Sequence, residues 1–292
     1  MKLDGRRESS NVEDRRGRGG KAALGLGGMG IGGIIIAVIM TLMQGGNVGD
    51  VVNVVTQQMS ANVTEQPASG TEFTAEEQAL AKFSSQILAG TEDVWKQEFK
   101  KMGRTYECPR LVLYTGSTQS GCGMGQASMG PFYCSADQCV YIDLSFFTSM
   151  KKQLGADGDF AYAYVIAHEV GHHVQYLLGD LSEAHNQMSR LSEKEANKIS
   201  IKLELQADFY AGVWAHHDNA MFGSLEDGDI DEAINCAQKI GDDYLQKKAR
   251  GYAVPESFNH GTSAQRQKWL KLGITTGDIS RGNTFAIPND QL

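Results

Sequence analysis

The feature that most constrains the fold is a pair of histidines, His168 and His172, four positions apart in an apolar stretch. Residues 160–166 and 174–178, on either side, are mostly apolar and compatible with a helix that Gly179 ends. Side chains four residues apart lie on one face of an α-helix, so both imidazoles can bind one metal ion. Ionisable side chains are rarely buried unless a metal ion or an opposite charge compensates them. The segment therefore predicts a buried, metal-binding helix.

Glu169 follows the first histidine and completes the pattern HExxH. Its position on the helix keeps it out of the metal's coordination shell but within reach of a water molecule in the open fourth position of a catalytic zinc site. Two histidine ligands with an adjacent general base are typical of zinc enzymes that hydrolyse peptide bonds. The alternative is a helix whose polar face happens to carry two histidines, and the apolar flanking residues argue against it.

A catalytic zinc ion needs a third protein ligand, and Glu204 is the predicted one. It lies in a second helical stretch, about residues 194–217, far enough after His172 for a turn and an antiparallel return. Asp208, one turn further on, is predicted to bond the outer nitrogen of a ligand histidine. The alternative is a solvated pair of carboxylates, but the surrounding residues are mostly small and apolar.

Several basic side chains near these helices are further candidates. His216 and His217 are rival ligands, but at the end of the second helix they also interact favourably with its dipole. His260 lies in a turn-rich stretch, where a histidine can stabilise the negative charge that develops in amide hydrolysis; local packing is the alternative. Arg266 is predicted to pair with an acid rather than to bind a substrate carboxylate.

These motifs resemble those of known zinc peptidases. HExxH followed by ExxxD resembles the gluzincin class, and the chain resembles the bacterial family of putative neutral zinc metallopeptidases over nearly its whole length. The segments that carry this second resemblance are residues 130–134, 141–144, 168–172, 203–208 and 260–266. The resemblance implies a Zn²⁺ cofactor and peptide-bond hydrolysis. It also implies that His260 serves the transition state and that the strand over residues 138–144 receives a peptide by strand addition. An ordinary core strand is the alternative for these residues, and the favoured one for any single position.

The order of predicted elements indicates a zincin-like α+β domain over residues 74–292, with a small β-sheet and a mostly helical remainder. Before the metal-binding helices, the sequence predicts helices over residues 74–89 and 92–102 and short strands over residues 110–114, 131–134 and 139–144. Helices over residues 229–250 and 264–272 follow. We expect the metal site between the two central helices.

The region before this domain is predicted to cross a membrane once. Residues 22–43 contain no charged side chain and are long enough to span a bilayer, and residues 1–21 carry a net charge of +3. The positive-inside rule then predicts a cytoplasmic basic tail (1–21), a transmembrane helix (22–43) in the inner membrane, a flexible stalk (44–73) and a periplasmic or extracellular domain. A cleaved signal peptide or a glycine-rich buried helix are the alternatives.

Charge and cysteine content agree with an exported domain. The chain has a net charge of −8, which makes nucleic acid an improbable partner. Four cysteines cluster within residues 108–139, which fits an oxidising compartment. Of the three possible pairings we favour Cys122–Cys134 with Cys108–Cys139.

The sequence thus predicts a membrane-anchored zinc peptidase that acts on peptides or proteins. In this interpretation the metal ligands are His168, His172 and Glu204, the catalytic residues are Glu169 and His260, and Asp208 orients a ligand. Two other functions stay open at this point: a chaperone-like membrane factor that binds zinc without turnover, and a zinc amidohydrolase acting on a non-peptide amide.

Overall fold

The computed structural model of the chain describes residues 1–17 and 72–292, which form an α+β fold as predicted. A small mixed sheet packs against a larger group of helices. The strands are β1 (Val12–Asp14), β2 (Arg110–Tyr114), β3 (Ser117–Ser120), β4 (Gly123–Gln126), β5 (Phe132–Cys134) and β6 (Cys139–Asp143). The helices are α1 (Ala75–Lys101), α2 (Ser145–Ser149), α3 (Asp159–Leu178), α4 (Asp180–Met188), α5 (Glu193–Phe222), α6 (Asp229–Lys239), α7 (Asp242–Arg250) and α8 (Ser263–Thr276).

The main sheet has the strand order β1-β2-β6-β5, and β3 pairs with β4 in a separate hairpin. β1, β2 and β6 run parallel, whereas β5 is antiparallel to β6. The strand predicted to receive a peptide, residues 138–144, contains β6. That prediction is wrong, because β6 pairs with β2 on one side and β5 on the other, so both of its edges are occupied. The strand at that end of the sheet is β5.

The helices predicted over residues 74–89 and 92–102 form one helix, α1. Thr74 caps it: the Thr74 hydroxyl accepts the Glu77 backbone N–H, and the Glu77 carboxylate accepts the Thr74 backbone N–H. Gly90 lies inside the helix, and a Cβ there would come within 2.7 Å of a carboxylate oxygen of Asp218 on α5. The glycine therefore permits a close approach of two helices instead of ending one.

The backbones of α3 and α5 approach closely at a glycine of the metal-binding motif. A Cβ at Gly171 would lie 2.9 Å from the Ala207 carbonyl oxygen, which no ordinary side chain tolerates. On the opposite side of α5, a Cβ at Gly273 of α8 would lie 2.2 Å from the Phe209 carbonyl oxygen. Three helices are thus packed backbone to backbone, and this packing fixes the side chains that α3 and α5 present to each other.

Residues 1–17 belong to the folded domain, which corrects the prediction of a separate basic tail. β1 pairs in parallel with β2, with Val12 opposite Leu111 and Asp14 opposite Leu113. A charge count over a short window detects the basic residues near the amino terminus. It does not detect the acidic residues, far along the chain, with which they pair. The segment was therefore assigned to the wrong structural unit.

An ion pair and several hydrogen bonds attach this amino-terminal segment to two helices. Arg6 donates to both carboxylate oxygens of Asp218 on α5, at 2.7 and 3.3 Å. Ser9 and Asn11 donate to Glu92 on α1, at 2.5 and 2.8 Å. Both acids are almost completely buried. The basic and polar residues of the segment are therefore partners of buried acids within the domain.

No helix in the described parts of the chain combines the length and apolar character that crossing a membrane requires. The predicted transmembrane helix, residues 22–43, and nearly all of the predicted stalk, residues 44–73, lie outside those parts. Both assignments stay predictions.

Candidate metal centre

The two central helices bring the three predicted metal ligands together. His168 and His172 project from α3 toward Glu204 on α5. The Nε2 atom of His168 is 3.2 Å from Glu204 Oε2, and that of His172 is 3.5 Å from Glu204 Oε1. One ligand atom from each residue lies within 4.8 Å of the other two. Donor atoms about 2.1 Å from a tetrahedral zinc ion are about 3.4 Å apart, so the spacing suits one ion bound by all three.

The outer nitrogen of each imidazole is held by an acceptor. Asp208 Oδ1 lies 2.8 Å from His168 Nδ1, as the sequence predicts. Gln175 Oε1 lies 2.8 Å from His172 Nδ1, and the Gln175 amide nitrogen donates to a backbone carbonyl at 2.7 Å, which identifies its oxygen as the acceptor. We therefore assign the proton of each neutral imidazole to Nδ1. Both Nε2 atoms then present lone pairs toward the third ligand.

A buried arginine holds Asp208 in place. Two guanidinium nitrogens of Arg266 lie 2.8 Å from the two oxygens of the Asp208 carboxylate, and the Tyr164 hydroxyl donates to Oδ1 at 2.5 Å. Burial alone would raise the pKa of Asp208, but the Arg266 guanidinium holds it below its usual value. The prediction that Arg266 pairs with an acid is confirmed, and a charged carboxylate stays opposite His168.

The electrostatics of the pocket favour a cation. Burial opposes a charge on His168, but the Asp208 and Glu204 carboxylates raise its pKa to about 10. In the metal-free protein its Nε2 therefore also carries a proton, which faces Glu204 Oε2 across 3.2 Å. Burial likewise opposes a charge on Glu204, but His172 and His168 hold its pKa well below the usual value. Apart from this His168 proton, which a metal ion would displace, no described residue donates a hydrogen bond to Glu204 Oε2. A divalent cation satisfies this oxygen and both imidazole lone pairs together, so the donor set fits zinc.

Glu169 lies beside the three ligands and is only 8% exposed. The backbone N–H of Tyr133, on β5, lies beside its carboxylate and favours the charged form. Burial in the first place, with the nearby Glu204 charge adding to it, raises the pKa of Glu169 to about 7. A carboxyl group with that pKa can both accept and release a proton near neutral pH.

His260 lies in the loop before α8 and is buried next to the same pocket. It is close enough to Glu204 to lower the pKa of that carboxyl. Asp242, the first residue of α7, fixes the loop: its Oδ2 accepts the backbone N–H of His260 at 2.7 Å, and its Oδ1 lies 3.0 Å from His260 Nδ1. The Asp242 carboxylate therefore orients the imidazole through Nδ1.

A family model described as "Putative neutral zinc metallopeptidase" matches residues 1–285. The chain belongs to this family. Zinc is the cofactor that membership implies, in agreement with the donor set described above. The matched range includes residues 1–17, so the amino-terminal segment is part of what the family model covers.

The chain is also similar to several curated proteins. It is 50% identical over 289 residues to "Uncharacterized protein YpfJ" of Escherichia coli K12, covering 98% of this chain and 99% of that protein. It is 40% identical over 191 residues to "Uncharacterized protein Rv2575" of Mycobacterium tuberculosis H37Rv, covering 62% of this chain and 64% of that protein. No solved structure matches the chain.

Two residues that orient histidines of this site were not predicted. Gln175 lies three positions after His172, and that helical spacing is the signal that could have identified it. Asp242 is 18 residues away from His260 and joins it across a separate helix, so no local pattern connects them. Neither residue is a metal ligand or a general base, the two roles that the sequence motifs indicate.

His216 and His217 are not in the metal centre. His216 Nδ1 lies 2.9 Å from the Ile274 carbonyl oxygen, and His217 Nε2 lies 2.8 Å from that of Gly277. Both imidazoles thus contact the carboxyl end of α8 rather than the metal ligands. The interpretation that they are not metal ligands agrees with this placement. The helix end that they contact is that of α8, however, and not that of their own helix, which continues to Phe222.

One of the two predicted disulfides is present. Cys122 and Cys134 are bonded, which confirms that pairing and connects the β3–β4 hairpin to β5. The pairing of Cys108 with Cys139 is wrong, because both are free thiols. The register of the sheet explains this: Arg110 is the β2 residue opposite Cys139, and Cys108 lies beyond the end of that strand.

Proposed function

We propose that this family member is an active zinc-dependent peptidase. One observation carries the proposal: the Nε2 atoms of two imidazoles and the Glu204 carboxylate converge beside the buried carboxylate of Glu169. The converging atoms are a donor set for zinc, and Glu169 is a base within reach of the same position. In this proposal His168, His172 and Glu204 are the ligands.

Zinc bound by these residues supplies Lewis acidity toward water and toward the scissile carbonyl. Glu169 takes a proton from the attacking water on its carboxylate and then gives it to the nitrogen of the leaving amine. Its pKa of about 7 suits both transfers. Asp208 and Gln175 keep the ligand imidazoles turned with Nε2 toward the site.

His260 donates a hydrogen bond to the carbonyl oxygen as negative charge develops on it. Its Nδ1 is engaged by Asp242, so Nε2 is the ring nitrogen left to donate to the substrate, a role that requires both nitrogens to carry a proton with the Asp242 carboxylate as counter-charge. The rigid hydrogen bonds that Asp242 makes with the loop backbone keep this donor in place before the substrate arrives.

Peptides are the favoured substrates because of the strand beside the base. β5 is at the end of its sheet, and its residue Tyr133 contacts Glu169. An extended peptide can bind along such a strand through backbone hydrogen bonds, whereas a compact non-peptide amide lacks the extended backbone that these bonds require. A factor that binds zinc without turnover needs no general base, and Glu169 is present and buried next to the ligands.

The variant Glu169→Gln tests the role of the base in the zinc-loaded, full-length protein. We expect the wild type to bind one zinc ion and to hydrolyse fluorescein-labelled casein. The variant should bind the same amount of zinc and lose about 10²–10⁴-fold in turnover, because an amide cannot accept the proton. Glu183→Gln, at an exposed position on α4, is the matched control and should retain full activity.

Three results would overturn the proposal in different ways. A zinc-loaded wild type that cleaves neither casein nor a mixed peptide library would exclude peptidase activity. Full activity in Glu169→Gln would remove Glu169 from the mechanism. Loss of zinc in that variant would make Glu169 a ligand or a support of the ligands.

We also propose that the domain works outside the cytoplasm. The Cys122–Cys134 disulfide supports this, because such bonds persist in oxidising compartments. Residues 1–17 pack against residues 72–292 in one domain, so these two parts of the chain must lie on the same side of any membrane. This proposal replaces the predicted single-pass arrangement, in which the amino terminus is cytoplasmic. The transmembrane assignment of residues 22–43 itself stays a prediction.

Labelling of single cysteines tests the shared compartment. In a Cys108→Ser background, Ser10→Cys and Lys271→Cys place exposed thiols on the amino-terminal segment and on α8. We expect a membrane-impermeant maleimide to label both in cells with a permeabilised outer membrane. Labelling of Lys271→Cys alone would restore the single-pass arrangement, and labelling of neither before lysis would place the domain in the cytoplasm.

A further inference from the structure

The metal-binding helix carries a third histidine, His173, that has no part in the metal centre. It lies four residues after Glu169, so these two share a face of α3 about one turn apart. The ligands His168 and His172 occupy a neighbouring face, about 100° around the helix. The sequence HExxHH thus gives α3 two functional faces, of which one meets the metal and the other meets β5.

Hydrogen bonds determine which ring nitrogen of His173 carries the proton. Its Nε2 lies 2.7 Å from the backbone carbonyl oxygen of Glu107, which can only accept, so the proton is on Nε2. Its Nδ1 must then accept, and the Tyr133 hydroxyl, 2.9 Å away, donates to it. The imidazole is fully buried and lies against the rings of Tyr106, Tyr133 and Tyr176. The hydrogen-bonded chain from Tyr133 to Glu107 therefore has a single direction.

Tyr133 contacts this face of α3 at two points. Its hydroxyl donates to His173, and its backbone N–H lies beside the carboxylate of Glu169, one helical turn earlier. On the sheet side, Tyr133 is opposite Val140 of β6, and its neighbour Cys134 is held by the disulfide. Because β5 is the last strand of the sheet, the side-chain contact with His173 fixes how far this edge lies from the helix.

We propose that His173 is a positioning residue. Through its hydrogen bond with the Tyr133 side chain, it keeps the Tyr133 backbone N–H beside the carboxylate of Glu169. The inference rests on the proposed peptidase function, in which Glu169 is the base. A carboxylate must be aimed correctly to take a proton, and displacements of about 1 Å at a catalytic group can cost about 10²-fold in rate. His173 acts without touching metal or substrate.

Tyr133→Phe is the least disruptive test, because it deletes one oxygen and keeps the backbone N–H. In the zinc-loaded, full-length enzyme we expect kcat to fall about tenfold, with KM changed less than about twofold and zinc content unchanged. Tyr176→Phe is the matched control, since its ring packs against the same imidazole, and it should not change kcat. An unchanged kcat in Tyr133→Phe, or an effect confined to KM, would overturn the proposal.

Non-additivity tests whether the two side chains act together. If Tyr133 acts through His173, then Tyr133→Phe combined with His173→Phe should reduce kcat no further than His173→Phe alone. Fully multiplicative losses would show that the two residues act independently, which contradicts the proposal. Where His173→Phe impairs folding, the exchange measurement below needs only the Tyr133 variant.

Amide hydrogen exchange provides a readout that does not depend on peptidase activity. In the zinc-loaded protein, the backbone N–H of residue 133 should exchange about tenfold faster in Tyr133→Phe than in the wild type, whereas that of Ile142 on β6 should not change. Equal rates at residue 133, or faster exchange throughout the sheet, would assign Tyr133 to the scaffold and overturn the proposal. A wild type without peptidase activity but with this local effect would refute the proposed function and leave the contact established.

Discussion

Two parts of the domain bury carboxylates to a similar degree but surround them differently. Glu92 and Asp218, which contact the amino-terminal segment, are 2% and 1% exposed, and Glu204 in the metal centre is 6% exposed. Asp218 accepts hydrogen bonds from Arg6, and Glu92 accepts one from Ser9. Glu204 instead faces the Nε2 atoms of two imidazoles, at 3.2 and 3.5 Å, and no guanidinium, hydroxyl or amide of the described residues. Burial alone does not identify a metal ligand; burial opposite two imidazole nitrogens does.

Glu204→Gln is expected to have the largest effect in this comparison. The amide has nearly the same shape but no charge, so zinc affinity should fall by more than the 10–100-fold that is typical of losing a support of a ligand. The melting temperature of the metal-free protein should change little, because the variant removes a buried charge and His168 can then release its extra proton, so that no buried charge is left unpaired. Competition with a chromophoric chelator and calorimetry measure the two quantities.

Glu92→Gln is the matched control and should behave in the opposite way. Its carboxylate binds the amino-terminal segment, so the variant should lower the melting temperature and leave zinc affinity unchanged. If both variants lost stability and retained zinc, Glu204 would be a structural acid like Glu92. The different surroundings of Glu92 and Glu204 would then have no functional meaning.

The metal centre could be predicted largely from the sequence because its ligands and base lie in short motifs, each within a single helix. HExxH places His168 and Glu169 by helical geometry alone, and the acids of the second helix stand out against apolar neighbours. The supporting contacts could not be predicted in the same way. Asp242 is connected to His260 only through the fold, and Tyr133 reaches Glu169 with its backbone, which has no sequence signature.

The position of the amino-terminal segment could not be predicted from the sequence for a related reason. Arg6 and its partner are 212 residues apart, and β1 pairs with a strand almost a hundred residues later. Charge counting treats such residues as solvated, although the fold pairs them. The same limit affected the sheet: alternation and length indicated strands, but only the register shows that β6 is interior and that β5 is at the edge.

A pair of arginine variants tests the other side of the comparison through the stability of the fold, and zinc binding should not change. Arg6→Ala leaves Asp218 buried without its main partner, which typically costs about 3–5 kcal/mol in the free energy of unfolding. Arg7 is 43% exposed, so Arg7→Ala should cost about 1 kcal/mol or less, although it also contacts Glu92. Urea denaturation of the zinc-loaded protein measures both, and the zinc content of the folded protein should not change. An equally small loss in the two variants would mean that residues 1–17 are only loosely attached to the domain, and the argument that they share its compartment would lose its basis.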